Sequence, residues 1–242
     1  MTRDVGVIFK REMGAYFNSP IAYIFIIVFL LLTGGFYTNG FFLAGVADMR
    51  DFFGTLPLYL LFFIPALTMR LWAEDQRLGT FELLMTLPMR PVHIVLGKYL
   101  ASLAFYCVAL AGTLTIPLTL AWIGDPDPGA ILCGYVGSVL LGGLFLAIGI
   151  FVSGLFRDQI AAFILALMAC SFFVLAGTQF FVAILDGWIP GLGSFLSRAF
   201  AVSTHFEGIQ RGVLGTADVV FFLSFSVAFL ILNTYSLEQR KY

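Results

Sequence analysis

The chain has 242 residues, of which 60% are hydrophobic and only 11% charged, with 13 Lys and Arg against 14 Asp and Glu for a net charge of −1. Soluble globular domains carry roughly 25% charged residues, so this composition excludes a soluble enzyme or nucleic-acid-binding domain and indicates an all-α integral membrane protein. Three cysteines, Cys107, Cys133 and Cys170, fall within apolar runs without paired spacing and read as small buried side chains, not as redox or metal ligands.

The first residues form an amphipathic pattern. Val5, Ile8, Phe9, Met13, Tyr16 and Phe17 recur at helical spacing, with Arg3, Asp4, Lys10, Arg11 and Asn18 between them. This predicts an interfacial helix ended by Asn18-Ser19-Pro20. Pro20 disfavours a continuous helix into the first span, because an interior proline costs about 3 kcal/mol.

A bilayer core takes about 20 apolar residues per helix. Runs of that order predict six spans: 20–47, 54–69, 99–124, 129–156, 159–185 and 219–237. The second is short, and Pro57 and Pro65 lie inside it, so a kinked helix continuing past Met69 is expected. In the fourth, Gly134, Ser138 and Gly142, then Gly149 and Ser153, repeat at four-residue spacing, which lets helix backbones approach closely, here most simply within one subunit. Between the fifth and sixth, the stretch from Asp186 to Asp218 holds a turn at 187–193 and an apolar piece at 194–202 too short to cross. An outer re-entrant or surface segment is expected there.

Six spans place both termini on one side. Arg3, Lys10, Arg11, Arg70, Arg77, Arg90, Lys98, Arg157, Arg240 and Lys241 share it, leaving Arg50, Arg198 and Arg211 opposite. The positive-inside rule makes that side cytoplasmic. Trp72, Trp122 and Trp188 close apolar runs, as interfacial aromatics do. There is no internal repeat, low-complexity stretch or linker.

Chemistry is sparse. No Asp, Glu, Lys, Arg or His falls within the six runs, which argues against a proton-coupled carrier or an intramembrane metalloenzyme. Gly97-Lys98 is followed by Tyr99, and Val92 stands where a phosphate-binding loop has its first glycine, so the chain has no ATP site of its own. His93 and His205 fall on opposite sides, which removes a His-based metal site or triad. No catalytic or metal-ligating residue is expected.

What remains is an island of charge, Trp72 to Pro88. Thr80 is a candidate N-cap, Glu82 sits in the first turn where the helix dipole favours it, and Pro88 ends the helix. Phe81, Leu84 and Met85 share one face, flanked by Leu83 and Leu87. Such a face is either docked on another protein or set in the lipid interface.

With these segments the chain resembles the permease subunits of ABC-2 transporters, and most closely the gliding-motility-type branch. The residues carrying the resemblance are Tyr16-Phe17-Asn18-Ser19-Pro20-Ile21-Ala22-Tyr23, Ile64-Pro65-Ala66-Leu67-Thr68-Met69-Arg70, Gly79-Thr80-Phe81-Glu82-Leu83-Leu84 and His205-Phe206-Glu207-Gly208-Ile209-Gln210-Arg211-Gly212-Val213. The resemblance implies one ABC-2 transmembrane domain over 1–242 in a bacterial inner membrane. It implies a homodimer meeting through the first and fifth spans, and a separate cytoplasmic ATPase holding ATP and Mg. The coupling contact would comprise Thr80, Phe81, Glu82, Leu84 and Met85, rimmed by Glu74 and Arg77. A membrane-anchored extracytoplasmic subunit is also implied, with His205, Glu207 and Arg211 as its contact, although Glu207 and Arg211 equally suit an intrahelical pair. Other partners are the lipid bilayer, and no nucleic acid. The alternatives are an ABC-2 exporter for a lipid-linked or polysaccharide substrate or for metalloenzyme maturation, and, from another class, a self-sufficient channel or uniporter.

Overall fold

The computed structural model describes residues 2–44, 48–86, 89–124 and 126–239. Residues 45–47 at the expected end of the first span, Leu87, Pro88, Asp125 and the tail from Arg240 lie outside the described residues, as do the side chains of Thr2, Phe42, Leu43, Ala44 and Met85. Among the described residues every regular element is a helix: α1 (Thr2–Phe17), α2 (Pro20–Ala44), α3 (Arg50–Thr68), α4 (Arg70–Arg77), α5 (Thr80–Thr86), α6 (Pro91–Gly112), α7 (Thr115–Ile123), α8 (Pro128–Leu155), α9 (Gln159–Leu175), α10 (Gln179–Trp188), α11 (Leu192–Phe200), α12 (Val202–Gln210) and α13 (Thr216–Gln239).

Among the described residues five helical stretches are long and apolar enough to cross a membrane: Pro20–Phe41, Arg50–Arg77, Pro91–Ile123, Pro128–Leu155 and Thr216–Gln239. The protein is therefore a multi-pass, all-α membrane protein. The short second run continues past Met69 through α4, with Pro57 and Pro65 inside α3. The fifth expected span differs. Instead of one helix over 159–185, α9 and α10 meet at 89°. The break is local chemistry: the Thr178 hydroxyl oxygen accepts from the Phe181 N–H at 3.4 Å and caps the start of α10. Gly177 meanwhile lies so close to Ser203 that a Cβ would overlap its hydroxyl.

The bundle is organised around α8, which packs against α3, α4, α6, α9, α12 and α13. Its small residues make those approaches possible. A Cβ on Gly134 would overlap the Phe53 ring, one on Gly142 the Tyr106 ring and one on Gly149 the Thr68 side chain. Ser138 and Ser153 are fully buried. The small-residue spacing is thus used within the chain.

Helix α1 ends at Phe17 and α2 begins at Pro20, so the entry helix is separate from the first span. Its buried face, Ile8, Glu12 and Tyr16, lies on α6. There Gly97 allows contact: a Cβ would stand 2.6 Å from that of Ile8. The Tyr16 ring stacks on Phe105 at 4.7 Å and its hydroxyl lies 3.1 Å from that of Ser102. Burial pushes the Tyr16 phenol up to about 12.

After α10 the chain reverses at Gly191, with φ +86°, and α11 packs back on α10. The Asp186 carboxylate holds the reversal by accepting from the Gly193 N–H at 2.7 Å and the Ser194 N–H at 3.4 Å. The expected apolar piece at 194–202 is therefore α11 and the first residue of α12. Helix α12 buries Val202, Phe206 and Ile209 against α3, α8 and α9.

Candidate coupling site

The charged island folds as an elbow of two short helices, α4 and α5, joined at Gly79, whose φ of +72° suits glycine. Trp72 is fully buried, with its backbone N–H donating to Ser153 Oγ at 3.1 Å, while Gln76 Nε2 donates to the Gly154 carbonyl at 2.9 Å. These bonds fasten α4 to the end of α8.

Of the predicted face of α5, the chain itself buries Leu84 and half-buries Phe81, while the Met85 side chain lies outside the described residues. Leu84 is 3% exposed, and the half-buried Phe81 ring meets Trp72 edge-on at 6.0 Å. The apolar side chains turned outward are Leu78 and Leu83, 67% and 69% exposed. Around them Glu74, Arg77 and Glu82 are exposed. The reason is helical geometry: Phe81 and Leu84 are three apart and face the same way, and α4 occupies that side. The Thr80 hydroxyl also departs from the expected cap. It donates to Asp75 Oδ1 at 2.9 Å, tying the start of α5 back to α4.

Behind the elbow lies a buried charge cluster. Lys98 is 1% exposed, and its Nζ lies 2.7 Å from Asp75 Oδ2, 3.0 Å from Glu12 Oε1 and 2.6 Å from the Leu71 carbonyl. It also stands 4.8 Å from the centre of the Trp72 ring. Arg11 closes the group, 2.8 Å from Glu12 and 3.6 Å from Asp75. Two cations and two carboxylates balance, as burial requires. One ammonium therefore links α1, α4 and α6.

In the sequence Lys98 reads as a failed phosphate-loop lysine and as one of the cytoplasmic basic residues outside the third span. In the structure the helix starts at Pro91, so Lys98 and His93 lie within that candidate span, and His93 Nδ1 is 3.1 Å from Asp4 Oδ2. Only the unusual placement of Lys98 against an apolar run signalled a buried partner; its partners are 86 and 23 residues away.

At the opposite end of the bundle, His205, Glu207 and Arg211 have unequal places. His205 Nδ1 lies 2.7 Å from Asp218 Oδ1, and its ring stacks on Phe221 at 4.2 Å, so it clasps α12 to α13. Glu207 and Arg211 remain mostly exposed and form an i,i+4 pair at 3.9 Å.

The elbow is thus keyed to α1, α6 and α8 on one side and exposed on the other. The family model for ABC-2 family transporter proteins matches residues 45–235. The chain belongs to the ABC-2 transporter family. None of the curated proteins compared matches it. ABC-2 membrane subunits are transmembrane components, typically not catalytic themselves, that generally work with a cytoplasmic ABC ATPase and often dimerise. The matched residues include the whole elbow, Lys98 and the α12–α13 clasp.

Proposed function

We propose that this chain is the permease of a gliding-motility-type ABC-2 complex. A separate ATPase, carrying ATP and Mg, seats against the α4–α5 elbow and drives either export or conformational work across the membrane. The observation that carries this reading is the two-sided elbow: Leu78 and Leu83 stand outward among Glu74, Arg77 and Glu82, while Trp72, Asp75 and Leu84 are locked into the bundle. Phe81 transmits between the two sides through its contact with Trp72. A self-sufficient channel would leave this arrangement without a role.

The α9–α10 pair counts as one broken span in this reading, giving six, with both termini cytoplasmic in a bacterial inner membrane. The partition of basic residues supports that orientation. Two copies meet through α2 and α9, which turn Ile24, Ile27 and Leu31, and Ile160, Ile164 and Met168, outward. Glu207 and Arg211 offer the polar contact for an extracytoplasmic subunit.

The test is purification of the tagged chain from its own membranes in mild detergent. An ABC ATPase is expected to co-purify. Leu83→Asp should weaken its retention about thirtyfold, as truncation of an interface anchor does, and Glu82→Lys should weaken it less. Unchanged retention in both variants, with the permease still folded, refutes the docking assignment.

A further inference from the structure

At the end of the bundle opposite the elbow, α2 and α3 enclose a cavity of about 430 Å³. Its walls are Phe36, Tyr37, Phe41 and Tyr59, and its charged groups are Asp48 and Asp51. That volume lies within the range of small-molecule sites. The Phe36 and Tyr59 rings are 6.1 Å apart at 36°, and those of Tyr37 and Phe41 6.3 Å apart at 28°. The Tyr37 hydroxyl donates to the Asp48 carbonyl at 2.8 Å, which holds the ring in place.

The electrostatics are one-sided. Among the described residues no Lys or Arg lines the cavity. Arg50 Nε sits 3.3 Å from Asp48 Oδ2 and offsets that carboxylate. Asp51 makes no ion pair among the described residues and leaves one uncompensated negative charge. Aromatic faces and an unpaired carboxylate favour an organic cation. They suit a metal ion poorly, since hard cations want about six oxygen ligands. They suit a sugar poorly as well, because the Tyr37 and Thr55 hydroxyls already donate to backbone carbonyls.

The depth of the cavity adds an apolar requirement. Tyr59 lies eight residues beyond Asp51 on α3, about 12 Å further toward the middle of the membrane. Carboxylates thus stand at the outer end, and Tyr59 with Phe36, itself 64% exposed, lines the part nearer the middle of the membrane.

We propose that this cavity binds an alkylammonium amphiphile, its ammonium held by Asp51 and the Tyr37 ring and its apolar part lying along Phe36 and Tyr59. The ammonium belongs either to a free amphiphile or to a lipid headgroup. The site is independent of the ATPase reading and requires neither nucleotide nor partner.

The experiment uses the full chain in phosphatidylglycerol nanodiscs, with choline as probe and 3,3-dimethyl-1-butanol as its uncharged isostere, followed by saturation-transfer NMR. Choline should bind saturably and the isostere at least about tenfold more weakly. Asp51→Asn should weaken choline about tenfold and leave the isostere unchanged, and Phe36→Leu should weaken choline about threefold. Lower choline affinity in discs containing phosphatidylethanolamine identifies a lipid headgroup as the occupant, and unchanged affinity identifies a free amphiphile. Equal binding of choline and the isostere to the wild-type chain overturns the proposal whether or not the variants fold. So does absent choline binding, or undiminished binding to folded Asp51→Asn.

Discussion

Replacing Lys98 by methionine removes the buried ammonium of the cluster and leaves the side-chain volume nearly unchanged. Glu12 and Asp75 then face each other across the vacated position, with Arg11 the one cation left beside them among the described residues, 2.8 Å from one and 3.6 Å from the other. Breaking a buried pair by removing one partner costs about 3 to 5 kcal/mol. Arg11 is 45% exposed along its side chain and well placed for Glu12, so the lower end applies, about 3 kcal/mol. The Leu71 carbonyl also loses its donor. If uncompensated carboxylates are the cause, neutralising them should restore most of the loss: Lys98→Met with Asp75→Asn should cost about 1 kcal/mol. The assay is reversible denaturant unfolding of the chain in mixed micelles, arranged as a double-mutant cycle over Lys98 and Asp75. Because Asp75→Asn alone also removes a partner from the buried Lys98, the coupling expected is larger than about 2 kcal/mol. A single-variant loss below about 1 kcal/mol, or additive losses, would show that water reaches the cluster and that Lys98 does not join α4 to α1.

The glycine contacts on α8 predict steric losses: Gly142→Val, against the Tyr106 ring, should destabilise by about 1 to 3 kcal/mol in the same unfolding assay. Tyr16 predicts an alkaline limit. Its pKa rises from 10.0 unfolded to about 12 folded, so its contribution is complete below pH 10 and is lost as pH climbs through 12, about 3 kcal/mol in all. Tyr16→Phe, which forfeits the Ser102 contact, should lack that component of the alkaline loss when unfolding is compared between pH 9 and 12. At the other end, Asp218→Asn should loosen α12 from α13 and raise proteolysis near Gly212, whereas Arg211→Ala, in an exposed pair, should change stability by only a few tenths of a kcal/mol.

Much of the architecture was legible in order along the chain because the bilayer imposes a long one-dimensional signal. Apolar length marked the spans, Pro20 separated α1 from α2, and the continuation past Met69 followed from a run too short to cross. The spacing of Gly134, Ser138, Gly142, Gly149 and Ser153 identified α8 as a helix of close approaches. The island was visible as a charged interruption between two apolar runs, and its helical face held Phe81 and Leu84 together.

Tertiary structure decided what those features touch. The turn at Gly177 to Gln179 resembled any polar step within a span, and only Thr178 capping and the proximity of Ser203 bend it by 89°. Whether Phe81 and Leu84 faced lipid, a partner or their own chain depended on where α4 lay, which periodicity does not encode. His205 and Asp218 met across a turn, and Lys98 found Glu12 and Asp75 over long stretches of sequence. Hydropathy is a local property, written residue by residue. Pairing of buried charges is a property of the assembled bundle, because only packing excludes the water that would otherwise satisfy each group alone.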